Sequence, residues 1–302
     1  MLKSACLALL LAVCAPAWAQ APAFGSAHAL VVDEASGEVL FEKNARTPAP
    51  IASMTKLVTA MVVLDARLPM DEMVRIDPAD LDTLKHTTRG VPVGARIARG
   101  DLLQLALVAS DNHAAAALAR TYPGGHDGFA AAVRAKLAAL QLHDTTIVEP
   151  TGLSADNHAT AHDMVQILKA ASAYPEIGDA TSQSRQTVHV NGRPLVVRNT
   201  NGLVGRPGWD ILVSKTGFTN EAGRCVTMRM QAAGRHLLVV LMGAMASSER
   251  WLDALAIQRS LGVTELPDFA TAPARAIRVA APARTARVHR AIHRASARRP
   301  HR

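Results

Sequence analysis

Cysteine is scarce in this 302-residue chain, and two of its three copies, Cys6 and Cys14, stand within the first fourteen residues. Once an N-terminal leader is removed, Cys225 is alone, so no disulfide can staple the fold. A solitary cysteine in a strand pattern, with no histidine and asparagine arrangement around it, reads as a small buried apolar residue rather than a nucleophile. Beyond residue 19, no segment approaches the roughly 20 uncharged apolar residues of a membrane-spanning helix. Glycine-rich phosphate cradles and internal repeats are also missing. His158 and His162 with Asp163 invite a metal reading. Thr160 and Asp163, however, form a helix-start pattern that leaves His158 outside the helix, and no third ligand has suitable spacing, so that reading is rejected.

What is present begins with a leader. Lys3, the apolar stretch from Ala5 to Val13 and the small-residue run Ala17-Trp18-Ala19 have the three zones of a signal peptide. Cleavage is expected after Ala19; lipoprotein processing at Cys14 is disfavoured by the bulky Val13 before it. Export points to the periplasm, with a mature chain that is soluble or peripheral. The formal net charge is +8, yet residues 271–302 hold nine arginines and no acidic residue, leaving −1 for everything before them. This Ala/Pro/Arg-rich stretch, 269–302 as a segment, is poor in large apolar groups, so disorder is expected. Its charge suits adhesion to an anionic surface such as phospholipid, lipopolysaccharide or wall polymer, while export argues against nucleic acid. Residues 20–268 remain, enough for one substantial core or two lobes sharing an interface.

Three short motifs stand in order within that segment: Ser53-Met54-Thr55-Lys56, Ser110-Asp111-Asn112 and Lys215-Thr216-Gly217. With seven lysines and fourteen serines in the chain, Ser-x-x-Lys alone arises by chance roughly 0.3 times. All three in sequence is on the order of a 10⁻⁴ coincidence. Serine acyl transfer needs a hydroxyl beside an amine that can take its proton, and helical spacing puts Lys56 one turn from Ser53. The segment Leu57 to Leu64 is apolar on every face, so a lysine at its start must be desolvated or paired, which lowers its pKa. Ser110 can relay a proton. Lys215, on a strand edge, can hold developing charge and push Lys56 further down by like-charge repulsion.

The periodicity predicts helices over about 53–66, 101–109, 113–120, 127–141, 160–173 and 247–260, with Asp101 and Gln104 spaced as a capping box. Ala29 to Asp33 and Glu38 to Glu42 read as a hairpin, as do Val188 to Val190 and Leu195 to Val197 around Asn191-Gly192. Asp210 to Ser214 reads as a strand that the third motif ends, and Gly223 to Met230 with His236 to Met242 as a following hairpin. Strands at both chain ends with helices between them predict an α/β (α+β) domain, an antiparallel sheet sandwiched by helices with a largely helical lobe inserted in the middle.

The motif order resembles the penicillin-recognising serine enzymes, which include D-alanyl-D-alanine peptidases and class A β-lactamases. Ile51 to Leu57, Tyr122-Pro123-Gly124-Gly125, Val148 to Ser154 and Lys215 to Asn220 are similar to the penicillin-binding protein 7/8 type of D-alanyl-D-alanine endopeptidase, over about residues 25–265. The resemblance implies a penicillin-binding protein/β-lactamase-like transpeptidase fold, with Ser53 as acylated nucleophile and Lys56 as general base. It further implies that Ser110 and Asn112 handle the leaving amine and the substrate amide, and that Lys215 and Thr216 meet a terminal carboxylate. Gly217 completes the strand motif, and the N–H groups of Ser53 and Phe218 form the oxyanion hole. The implied substrate is the peptidoglycan cross-link, the implied inhibitors are β-lactams, and no cofactor is required. Alternatives are a D-alanyl-D-alanine carboxypeptidase, a class A-like β-lactamase using Glu149, and a catalytically idle wall-binding module. Glu149-Pro150 lies at a spacing suited to a deacylating glutamate, but Thr151-Gly152-Leu153-Ser154 supplies no asparagine to hold the water.

Overall fold

A computed structural model describes residues 24–87 and 90–263; the expected signal peptide and basic tail lie outside them. The chain opens with a hairpin of β1 (His28–Asp33) and β2 (Val39–Lys43), then β3 (Ala49–Pro50), a 3₁₀ turn over Ala52–Thr55 and helix α1 (Lys56–Asp65). Strands β4 (Met73–Arg75) and β5 (Arg96–Ala98) pair with each other before α2 (Arg99–Gln104), which widens into a π turn over Leu105–Ala109. Helices α3 (Asn112–Arg120) and α4 (Gly125–Ala139) follow, then β6 (His158–Ala159), α5 (Ala161–Ala171) and α6 (Pro175–Thr181). A second hairpin, β7 (Arg185–Val190) with β8 (Arg193–Arg198), precedes the long strands β9 (Asp210–Thr219), β10 (Gly223–Ala232) and β11 (Arg235–Ala244) and helix α7 (Ser247–Ser260).

The main sheet has the order β2-β1-β11-β10-β9, and every neighbouring pair is antiparallel. Its two ends of sequence meet at β1 and β11, where Leu30 faces Val240. Central strand β11 is buried along Leu237 to Met242, which an antiparallel strand shows only when both faces are covered. The period of two divides that run. Leu238, Val240 and Met242 join the core that includes Leu57, Met61, Ile167 and Leu168 from α1 and α5. Helix α7 packs on β10 and β11 with Ala254 and Ile257 buried, outside that α1/α5 core. The expected antiparallel sheet between helices is therefore present, and among the described residues no helix is long and apolar enough to cross a membrane.

Two local expectations need correction, and one helix was not expected. Asp101 does not cap a helix: α2 starts at Arg99, and the Asp101 carboxylate accepts the His189 N–H at 2.8 Å instead. Helix α6 had no sequence signal; it is seven residues long, starts on Pro175, contains Gly178, and rests on β9. Lys215-Thr216-Gly217 does not end its strand, because β9 runs on to Thr219 with Thr216 paired to Val226. The pairing of Thr160 as cap is as expected: its hydroxyl accepts the Asp163 N–H at 3.0 Å.

Candidate active site

The 3₁₀ turn before α1 leaves Ser53 half-buried while Lys56, the first residue of the helix, is 1 % exposed. Ala52 sits at φ +47°, left-handed backbone that costs a residue with a Cβ about 1–2 kcal/mol. Two glycine backbones clamp this strained turn. A Cβ on Gly152 would stand 1.9 Å from the Ala52 carbonyl oxygen, and one on Gly217 would stand 2.8 Å from that of Ile51. The glycine of the third motif is therefore a steric requirement, letting β9 pass close to the Ser53 N–H.

Lys56 Nζ donates to Ser53 Oγ at 2.9 Å, to Asn112 Oδ1 at 2.8 Å and to the Thr151 carbonyl at 2.7 Å. Burial pulls its pKa down to about 8, against the opposing pull of the Glu149 and Asp111 carboxylates. Desolvation lowers it, as expected; the further push expected from Lys215 does not. The repulsion is felt at the other end: Lys215, also 1 % exposed, is held well below the ordinary lysine value by burial first, then by the charges of Lys56 and Arg250. An amine with pKa near 8 is neutral in an appreciable fraction near neutral pH. In that form it can accept the Ser53 proton over the same 2.9 Å.

The second motif divides its labour. Ser110 follows the π turn at φ +59°, and its hydroxyl accepts from Lys215 Nζ at 2.9 Å. Asn112 opens α3 and meets Lys56. Asp111 between them is the cap: one oxygen accepts the Ala114 N–H at 2.9 Å and the other the Val91 N–H at 3.0 Å. π turns recur at functional sites because the wide turn re-aims the residues after it. Here it aims Ser110 at β9.

Sequence reasoning left Glu149 as a loop carboxylate; the structure gives it a larger part. Its oxygens accept the N–H groups of Thr151, Gly152 and Leu153 and the Thr151 hydroxyl at 2.6–2.8 Å. Asn157 Nδ2 adds a contact at 3.1 Å, and Asn157 Oδ1 accepts the Val148 N–H at 2.8 Å. The knot presents the Thr151 carbonyl to Lys56. With its lone pairs so engaged, Glu149 is unsuited to activating a deacylating water. The Glu-Pro-Thr-Gly-Leu-Ser pattern held a usable signal, since a carboxylate followed by small residues can gather several N–H groups in one turn.

A cleft of about 740 Å³ runs over these groups, lined by Ser53, Ser110, Asn112, Thr216, Phe218 and Arg250 among others. All eight residues expected from the sequence converge: Gly217 lies under the Ser53 turn, Thr216 donates its hydroxyl to Thr200 Oγ1 at 2.7 Å, and half-exposed Phe218 stacks under Arg224 with 3.7 Å from guanidinium carbon to ring centre. Arg250 was missed. It reaches the cleft from α7, buried, donating to the Cys225 carbonyl at 2.8 Å, and no local pattern marks it. Cys225 is buried in β10, paired with Gly217 of the motif strand, and burial pushes its thiol up to about 11. The outer edge of β9 pairs with no strand among the described residues.

The sequence matches the D-alanyl-D-alanine carboxypeptidase (peptidase S11) family over residues 16–246. It is 42 % identical to a D-alanyl-D-alanine endopeptidase of Pseudomonas aeruginosa over 253 residues, covering 82 % of this chain and 81 % of that one. A D-alanyl-D-alanine endopeptidase of Escherichia coli is 41 % identical over 239 residues, covering 78 % and 77 %. Among solved structures, the Streptomyces K15 DD-transpeptidase superposes with a TM-score of 0.73 at 23 % identity, over 80 % of this chain and 98 % of that one. That likeness carries the fold, a DD-transpeptidase architecture. Motif order, site geometry and these matches lead to one conclusion: the chain is a serine hydrolase belonging to the D-alanyl-D-alanine carboxypeptidase family.

Proposed function

We propose that this enzyme hydrolyses the D-alanyl to meso-diaminopimelyl cross-link of peptidoglycan through an acyl-enzyme on Ser53. The observation that carries the reading is the 2.9 Å contact between Lys56 Nζ and Ser53 Oγ in a buried setting. Neutral Lys56 takes the hydroxyl proton as Oγ attacks the D-alanyl carbonyl carbon. The N–H groups of Ser53 and Phe218 face the developing oxyanion, a contribution of about 10²–10³ in rate per donor in comparable sites. The proton that Lys56 took reaches the leaving nitrogen through Ser110, held by Lys215, as the C–N bond breaks, while Asn112 orients the substrate amide. Lys215, Thr216 and Arg250 meet the carboxylate beside the departing amine. The open edge of β9 accepts the substrate backbone as an added strand. Water then attacks the ester and frees Ser53. β-Lactams offer the same electrophile and acylate the same oxygen. The leader expected at residues 1–19 would carry the enzyme to the periplasm, where this substrate lies.

The endopeptidase names of relatives 41–42 % identical favour the cross-link over a terminal D-alanine; the family's description favours carboxypeptidase action as the second reading. Incubation with purified cross-linked muropeptides separates them. Release of monomers is expected, loss of a terminal D-alanine alone would replace the proposal with the second reading, and unchanged substrate would revive an idle wall-binding module. Labelled penicillin should form an adduct on Ser53 that Ser53→Ala abolishes. Turnover of that adduct within seconds would point to a β-lactamase and against the reading of Glu149.

A further inference from the structure

The hairpin β7–β8 breaks a pairing rule in plain view. Its register sets Arg185 opposite Arg198, and like charges directly opposite on one face of an antiparallel pair are destabilising. Neither guanidinium has a hydrogen bond or ion pair among the described residues. The same face sets Thr187 opposite Val196 and His189 opposite Pro194, and all six residues are exposed. The reverse face buries Val188 completely against the body of the domain. Asp101 lies 3.6 Å from the His189 ring, so the arginine pair is the uncompensated charge on this face. No aspartate or glutamate occurs between residues 180 and 209, a stretch that holds four arginines. Two residues beyond Arg198, Thr200 lines the catalytic cleft and accepts the Thr216 hydroxyl.

We propose that this face is a second contact site for the polymeric substrate, at which Arg185 and Arg198 bind free carboxylates of stem peptides other than the one in the cleft. The inference rests on the peptidoglycan reading of the cleft. Diaminopimelyl residues and terminal D-alanines carry such carboxylates, and a guanidinium fork pairs with them bidentately. An incoming anion turns the repulsive arginine pair into a bridged one, so the strain in the free hairpin is relieved only on binding. Val196, 59 % exposed beside the pair, supplies apolar contact to the peptide's methyl and methylene groups. Because both peptides belong to one polymer, the second contact raises the effective concentration of cross-links at the cleft without altering its chemistry.

The test uses the full chain in two backgrounds: Ser53→Ala for binding, and the active enzyme for turnover. Arg185→Glu converts a like pair into an opposite pair, so it should raise the thermal midpoint. The same change should weaken retention of the Ser53→Ala chain on purified sacculi about tenfold and slow release of fragments from sacculi to match. Hydrolysis of a soluble cross-linked muropeptide dimer and acylation by penicillin should stay unchanged. Arg185→Lys, which keeps the charge but loses the fork, should fall between the wild type and Arg185→Glu in sacculus binding. Unaltered retention and sacculus turnover in Arg185→Glu would overturn the proposal. So would a retention loss confined to anionic phospholipid vesicles, which would assign the face to a membrane. A fall in thermal midpoint accompanied by loss of penicillin acylation would assign the arginine a structural role. Failure of the wild-type enzyme to cleave the soluble dimer strikes the cleft reading alone, and sacculus retention then judges the hairpin separately.

Discussion

Two loops flank the cleft, and each is wound around one carboxylate. Glu149 gathers the N–H groups of Thr151, Gly152 and Leu153, and its loop is sealed by Asn157, which is fully buried. Asp82 gathers the N–H groups of Leu84, Lys85 and Thr87 and the Thr87 hydroxyl at 2.7–2.9 Å, yet its loop is exposed. Partial burial works against the Asp82 anion, but those donors outweigh it and hold the carboxyl below its usual range. The buried loop delivers the Thr151 carbonyl to Lys56 at 2.7 Å. Thr87 of the exposed one lines the cleft and has a 3.4 Å contact from Asn112 Nδ2, and Lys85 of that loop pairs with Glu221. The same device therefore fixes a carbonyl on a buried amine where water is excluded and a hydroxyl on the cleft wall where it is not.

The comparison breaks most sharply at the amine that the buried loop holds. Lys56→Arg should reduce penicillin acylation by about 10²–10⁴, nearly as much as Lys56→Ala, because a guanidinium cannot surrender its proton to become a base. Lys215→Arg should be milder, its proposed work being electrostatic. Acylation rates for the three variants decide this, and substantial activity in Lys56→Arg would reduce Lys56 to a cation.

Next comes Glu149→Gln, which turns an amide toward buried N–H groups. Each buried donor left unsatisfied costs about 1–3 kcal/mol, which should appear as a thermal midpoint several degrees lower. Acylation should depend on pH through the protonation of Lys56, rising as pH passes upward through about 8. Since the Glu149 charge raises the Lys56 pKa, Glu149→Gln should move that limb to lower pH. A limb that moves upward, or not at all, would mean that the loop's charge does not reach the amine.

Linkage gives a further check. The folded pKa of Lys56, about 8, lies below its ordinary value of 10.5, so between those limits the unfolded chain holds the extra proton and stability rises with pH. Below about 8 both states are protonated and the contribution is flat. Relative to Lys56→Met, wild-type unfolding free energy should gain on the order of 3 kcal/mol across that window, measured by denaturant titration.

The smallest effects belong to the exposed loop. Asp82→Asn should cost about 1 kcal/mol or less and leave acylation nearly unchanged, and Lys85→Ala should be within about 0.5 kcal/mol because its pair with Glu221 is solvated. If Asp82→Asn proved as damaging as Glu149→Gln, burial would not be what separates the two loops.

The sequence made the proposed reacting groups legible because their chemistry demands fixed residue types at short spacings, Ser53 with Lys56 and Ser110 with Asn112. The long strands and most helices were legible from period alone. What it hid was set by partners distant in the chain. Arg250 arrives from a helix 35 positions past Lys215. The depressed pKa of Lys56 and its main cause, desolvation at the start of an apolar helix, could be anticipated, yet that Lys215 rather than Lys56 bears their mutual repulsion depends on three-dimensional enclosure. Asp101 looked like a helix cap and instead holds the N–H of His189, since a hairpin 88 residues away offered a better donor. Helix α6 exists because β9 supports it, against poor intrinsic propensity at Gly178 and Thr181.

The π turn over Leu105–Ala109 holds one residue more than an ordinary helix needs to cover the same arc. A regular helix advances about 100° per residue, so four residues turn about 400°, and five residues bonded i to i+5 turn roughly the same. Deleting one residue there would let α2 continue as ordinary α-helix and reach Ser110 with its direction nearly kept. An inserted residue has no such outlet, because the surplus residue is already present. In this stretch a frame-preserving insertion, rather than a deletion, is the length change the cleft is least able to absorb.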